Sequence, residues 1–249
     1  VGAFVVILGL IILAGVAYGS YWLKKKRRDE LATFATQYQL SYSKEDPFGL
    51  LIAYPYELFA RGDGRGCENV LSGAWQGVKV KEADYWYYDE STDSKGNRTK
   101  TYHHFSALIV DLSLRAPYLT VAKENILTTL ADHVGLKDIE FESEQFNREF
   151  NVKCQDKEFA FKLIDARMEQ FLLDTGGAYS IEFAGSSALI YCKRLPPTSL
   201  VPLFGTAKGF VDHIPRLVWN EYGPGGGGPT GLAPPQGVEP SPPAQPAGT

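Results

Sequence analysis

The chain is poor in the residues from which metal centres and cross-linked scaffolds are built. Its 249 residues hold three cysteines and four histidines. Cys67, Cys154 and Cys192 form an odd, widely spaced set without a C-x-x-C pair, which excludes a disulfide framework and a zinc knuckle and suits a reducing compartment. His103 and His104 are adjacent, and on a strand adjacent side chains point to opposite faces, so the two cannot share a metal. His133 and His213 stand in helical segments without an H-x-x-x-H or H-E-x-x-H partner. No G-x-S-x-G elbow, Walker loop or G-x-G-x-x-G fingerprint is present. Glu140, Glu142 and Glu144 have the spacing of a solvated acidic run rather than of a paired acid and base. Cys154 precedes the helix-capping Asp156 but has no base near it in sequence, and reads as structural. The chain is therefore expected to have no catalytic residue, metal or cofactor, and not to be an enzyme.

Charge is missing altogether from Val1 to Leu23. A helix of that length covers about 35 Å, at about 1.5 Å per residue, enough for a hydrocarbon core of roughly 30 Å. The expectation is a transmembrane helix over 1–23. Tyr18, Tyr21 and Trp22 would lie at the headgroup level, and Lys24, Lys25, Lys26, Arg27 and Arg28 would hold anionic lipid headgroups and keep the rest of the chain on the cytoplasmic side. That implies a single-pass protein of the plasma membrane with a cytoplasmic C-terminal domain. A signal peptide fits less well, because the cations come after the apolar run and no A-x-A-like site lies beyond it. The first residues, Val1-Gly2, lack an initiator methionine, so the numbering is expected to begin inside a longer chain. Gly15-x-x-x-Gly19 places Gly15 and Gly19 on one helical face where a partner helix can approach closely, although glycine is common in membrane helices anyway.

The net charge is −4, and five of the 25 basic residues sit at 24–28. The remainder is thus distinctly acidic and repels a phosphate backbone, which argues against nucleic acid as a partner.

Along the chain, Asp29 to Leu40 continues with helical spacing as a connector, and Ser41 to Pro47 breaks it. Phe48 to Phe59 is apolar and proline-interrupted. Arg61-Gly62-Asp63-Gly64-Arg65-Gly66 reads as a flexible turn. It lacks the strand before and the helix after that a phosphate-cradling loop needs. From Asn69 to Val121 the period is two: Trp75 to Lys81 alternates, and Tyr85-Trp86-Tyr87-Tyr88 is an aromatic arm. Asp89 to Asn97 is a turn, Thr99 to Leu112 returns, and Tyr118 to Val121 adds a strand. So aromatic an arm requires a helix or a partner over one face. Glu124 to His133 reads as a helix ended by Gly135. Phe146 to Val152 reads as a strand, Asp156 caps a helix running through Leu172, and Tyr179–Phe183 with Ala188–Tyr191 forms a second hairpin. Leu200 to Tyr222 is a helix that Pro215 kinks. Gly223 to Thr249 is dominated by glycine and proline, carries Glu239 as its one charge, and cannot form a core. Such a segment suits being laid along a neighbour's surface.

The expected fold class is α+β: a transmembrane helix (1–23), a basic juxtamembrane segment with a connector helix (24–47), a domain of antiparallel sheet and packed helices (48–222) and an extended tail (223–249). Phe146-Asn147-Arg148-Glu149-Phe150-Asn151-Val152, with Ala166-Arg167-Met168-Glu169-Gln170-Phe171-Leu172, resembles an uncharacterised bacterial family of membrane-anchored proteins, over roughly Trp75 to Lys193. That family brings no catalytic residues with it. The overall plan is also similar to accessory subunits of the actinobacterial respiratory supercomplex, beside the cytochrome bc1 complex and cytochrome c oxidase. The resemblance implies a non-catalytic subunit that associates with and stabilises a large membrane complex. Two rival readings stand beside it: a membrane-tethered enzyme or ligand-binding domain with a pocket near Tyr102, His103 and His104, and a homo-oligomeric scaffold through Gly15 and Gly19.

Overall fold

The computed structural model describes residues 2–123 and 136–224, and of residues 2–6 and 8 the backbone only. The helix expected over Glu124–His133 and nearly all of the glycine–proline tail therefore lie outside the described residues.

The first helix, α1 (Gly2–Gln37), does not stop at the cations. It runs through them without a break and turns amphipathic, because Leu31, Phe34 and Ala35 recur at helical spacing and bury against the sheet. Side chains nearer its start, Leu10 to Leu13 and Val16 among them, are exposed. Among the described residues no helix is long and apolar enough to cross a membrane. That finding corrects the expectation of a transmembrane helix over 1–23. The single-pass topology and the cytoplasmic placement read from it go with it.

A short edge strand β1 (Ser41–Glu45) leads to two single-turn helices, α2 (Leu50–Ala53) and α3 (Glu57–Ala60). The chain then runs through a meander of β2 (Gly64–Trp75), β3 (Val78–Thr92) and β4 (Arg98–Lys123). The last part of the described chain is β5 (Lys137–Ile139), α4 (Glu144–Glu149), β6 (Phe150–Cys154), α5 (Lys157–Leu163), α6 (Ala166–Asp174), β7 (Ser180–Lys193), a 3-10 turn at Pro197–Ser199, α7 (Leu200–His213) and α8 (Arg216–Tyr222). All pairings are antiparallel, in the order β1-β2-β3-β4-β6-β5, with β7 on the other side of β4.

β4 is the spine. One 26-residue strand takes the place of the two expected, and it has three partners: β3 along its first half, β6 along its last, and β7 along both. The expected hairpin at Tyr179–Tyr191 does not form. Its centre, Gly185 at φ +57°, sits where the register of β4 shifts between Asp111 and Ala116, so β7 bends with its partner and continues as one strand. At Glu144–Glu149 a helix replaces the start of the expected strand, because the Ser143 hydroxyl accepts a hydrogen bond from the Phe146 N–H and caps it. The helix expected from Asp156 through Leu172 is two helices: a second cap, Asp165, accepts from the Arg167 and Met168 N–H groups and starts the chain afresh. Pro215 separates α7 from α8 as expected.

The sheet is covered on both faces. On one, α1 and the helices α4 to α8 enclose the main core, with Phe146, Phe159, Phe183, Phe204 and Phe210 fully buried. On the other, the 50–60 segment lies over Tyr85, Ala107, Ile109, Leu189 and Tyr191. The free end of the β3–β4 hairpin projects beyond both.

Candidate functional site: a cationic, aromatic cleft between α1 and the β3–β4 hairpin

Alternation along β3 sends Glu82, Asp84, Trp86 and Tyr88 to the face that α1 covers, and Tyr85 and Tyr87 to the other. The register places Trp86 opposite His104 and Tyr88 opposite Tyr102, so four rings tile one patch of the sheet. Trp86 and Tyr88 lie 6.4 Å apart at 11°, Tyr102 and His104 6.2 Å apart at 15°, and the Tyr88 and Tyr102 ring centres are 5.3 Å apart. What lets the rings lie flat is the strand beside them. Gly64 and Gly66 of β2 pair with Tyr88 and Trp86, and a Cβ at Gly66 would stand 2.8 Å from the Trp86 ring. Rings resting on glycines in a neighbouring strand are a recognised way of finishing a sheet. The glycine-rich stretch that reads as a flexible turn is thus, from Gly64 on, part of a strand. A valine at Gly66 is expected to push the indole off the sheet at a cost of about 1–3 kcal/mol, seen as a lower denaturation midpoint together with an altered near-ultraviolet dichroism of the tryptophans. A midpoint within error of wild type would show that Trp86 does not rest there.

The helix that closes the cleft is held by one ion pair. Arg27 donates from Nε to Asp84 Oδ2 at 2.6 Å, from a terminal nitrogen to Asp84 Oδ1, and from the other to the Leu195 carbonyl at 2.8 Å. Asp84 also accepts from the Asn69 amide at 2.9 Å, and Asn69 accepts from the Tyr42 hydroxyl. Beneath this pair Glu82 is fully buried, near Asp84 and the Ser106 hydroxyl. Burial first, and then the nearby Asp84 carboxylate, push its pKa well above the ordinary carboxylate range.

Above the latch lies a cleft of about 580 Å³ lined by Leu23, Lys24, Arg27, Arg28, Glu68, Asn69, Trp86, Tyr102, His104 and Arg194. The main chain of Arg194 is held beside the rings, where its backbone N–H donates to the His104 carbonyl at 3.0 Å. Among the described residues Lys24, Arg28 and Arg194 take part in no ion pair, and Glu68 is the one acid on the wall. His104 is lowered in pKa, first by burial and then by Arg194, and so is neutral at pH 7.

The structure separates the residues that the sequence assigns to a bilayer interface. Lys24, Arg27 and Arg28 face this cleft, and Arg27 is spent on Asp84 rather than on a headgroup. Trp22, Lys25 and Lys26 turn to a groove of about 470 Å³ on the other side of α1, with Phe34 and Pro197. Tyr18 and Tyr21 are exposed. At Gly15 and Gly19 an added Cβ would meet nothing within 4 Å. Tyr102 and His104 share the cleft, whereas His103 is on the opposite face, stacked on Tyr87 and 3.1 Å from Asp89. The three thiols are each pushed up to about 12, chiefly by burial, and are poor nucleophiles. Among the described residues no group of three or more His, Cys, Asp or Glu side chains could hold a metal ion.

A second polar cluster lies on the opposite face of the sheet, unforeseen from the sequence. Glu182 of β7 is fully buried and accepts from the Glu57 N–H at 2.7 Å, the Leu58 N–H at 3.1 Å and the Tyr118 hydroxyl at 2.7 Å. Those bonds fasten α3 to the sheet.

No family model matches the chain, and no curated protein does. Among solved structures it is similar to the crystal structure of the mycobacterial trehalose monomycolate transport factor A, TtfA, at 12% sequence identity over 76% of this chain and 96% of that one, with a TM-score of 0.56. The likeness is one of fold. It corrects the expected kinship with respiratory supercomplex subunits, and with it the expected role as a stabilising subunit of the cytochrome bc1 and cytochrome c oxidase assembly.

Proposed function

We propose that the chain is a non-catalytic binding protein that holds a sugar-headed amphiphile in the cleft between α1 and the β3–β4 hairpin, as part of a transport process. The observation that carries this reading is the cleft itself, concave and walled by flat rings with a few polar groups, as small-molecule sites are. A pyranose presents a flat array of C–H groups to such rings. On α1, Ile12 and Val16 share a helical face with Leu23 and are exposed, so an apolar strip leads away from the cleft, with room at Gly15 and Gly19. The same open glycines are proposed as the face on which a helix of another protein packs closely. The fold likeness to a transport factor for an acylated sugar supports the ligand class.

The test is calorimetric titration of the full chain with a trehalose monododecanoate below its micelle concentration. A 1:1 complex is expected, weakened at least about 10-fold by combining Trp86→Ala with Tyr102→Ala, on the order of 1.4 kcal/mol. Absence of binding, or equal binding by the double variant, overturns the proposal.

A further inference from the structure

We infer that the head of the ligand is anionic: a sugar carrying one phosphate or carboxylate. The inference rests on the cleft being the binding site and narrows what it takes. A neutral sugar is recognised by rings and hydroxyl-bonding groups, and has no use for a cluster of fixed charges. Here Lys24 and Arg28 from α1 and Arg194 from the chain after β7 line one small cleft, and none is neutralised by an ion pair among the described residues. Bringing three cations together costs Coulomb repulsion, in a chain whose net charge is −4. An anion bound among them relieves that repulsion, and guanidinium groups are the donors best matched to phosphate and carboxylate.

Arg27 cannot share the task, since its donors are committed to Asp84 and the Leu195 carbonyl. The remaining wall settles the rest of the ligand. Glu68 offers acceptors to hydroxyl groups and repels a second anion, and His104 is neutral. One charge beside a hydroxylated ring satisfies the set, with the ring over Trp86 and Tyr102. A polyanion such as single-stranded nucleic acid would also find rings and cations, but Glu68 and the acidic remainder of the chain oppose it.

The experiment compares glucose 6-phosphate, glucose, a short oligodeoxynucleotide and phosphatidylglycerol vesicles as ligands of the full chain, by calorimetry at two salt concentrations. The expected result is that glucose 6-phosphate binds at least about 10-fold more tightly than glucose, and that raised salt shrinks the difference. Combining Arg28→Gln with Arg194→Gln should abolish the difference while leaving the denaturation midpoint unchanged. Equal affinity for the two sugars overturns the inference yet leaves the acylated-sugar reading standing, because that reading is scored by trehalose monododecanoate and the ring variants. Preferential binding of the oligonucleotide or of the vesicles overturns it as well. Failure of every sugar, acylated or not, removes both.

Discussion

Arg27→Ala is expected to destabilise the protein by about 3–5 kcal/mol, the range for breaking one side of a buried ion pair. The side chains are 16% and 3% exposed, so the pair lies largely out of water. Removing the guanidinium leaves the Asp84 carboxylate buried with only the Asn69 amide as a partner, close to the buried Glu82. It also frees the Leu195 carbonyl and lets α1 lift from the sheet, so sugar binding should fall with stability. Chemical denaturation measures the first effect and calorimetry the second. A doubly apolar variant, Arg27→Met with Asp84→Leu, should recover a substantial part of the loss, since it buries no unpaired charge. A loss below about 1 kcal/mol for Arg27→Ala would mean the pair behaves as an exposed one, and the latch would have to be abandoned.

The second large effect is a pH dependence that runs against the usual acid denaturation. Burial raises the Glu182 carboxyl from 4.5 to about 7, against the hydrogen bond from Tyr118 and with Glu57 adding to the rise. The folded state therefore holds this proton more tightly than the unfolded chain. Between about pH 4.5 and pH 7 the unfolded chain binds fewer protons, so stability falls as pH rises through that window and levels off above it. One proton over such a span is worth roughly 3 kcal/mol. Glu182→Gln should flatten this part of the stability–pH curve. It should also lower stability by about 1–3 kcal/mol at pH 5, because an amide offers one acceptor oxygen to donors that now have two. Denaturant titrations of both proteins at pH 5, 6, 7 and 8 decide the matter. Parallel curves would show that Glu182 does not titrate in the window.

Much of the secondary structure was legible in the order of the amino acids. Local patterns sufficed for the long hairpin, the cap at Asp156, the break at Pro215 and a helix over the opening residues, because each depends on neighbours in the chain. Even the cleft left a trace: an arm as aromatic as Tyr85 to Tyr88 needs cover, and α1 and the 50–60 segment supply it from the two sides.

Where the charges went was settled by the assembled fold alone. Lys24 to Arg28 form one basic run in sequence, yet helical rotation sends Arg27 inward to Asp84, Lys24 and Arg28 to the cleft, and Lys25 and Lys26 to the far side. Gly64 and Gly66 mean little until β2 lies beside β3, when their missing side chains become the bed for Tyr88 and Trp86. Glu182 and Glu57 are far apart along the chain and meet only because β7 passes beneath α3. The same holds for the opening helix. Its composition announces an apolar helix, but docking its second half on the sheet joins it to the domain, and local composition carries no information about that contact. Patterns of two and 3.6 residues report which way a side chain points relative to its own element; what it meets there depends on which elements the fold brings opposite.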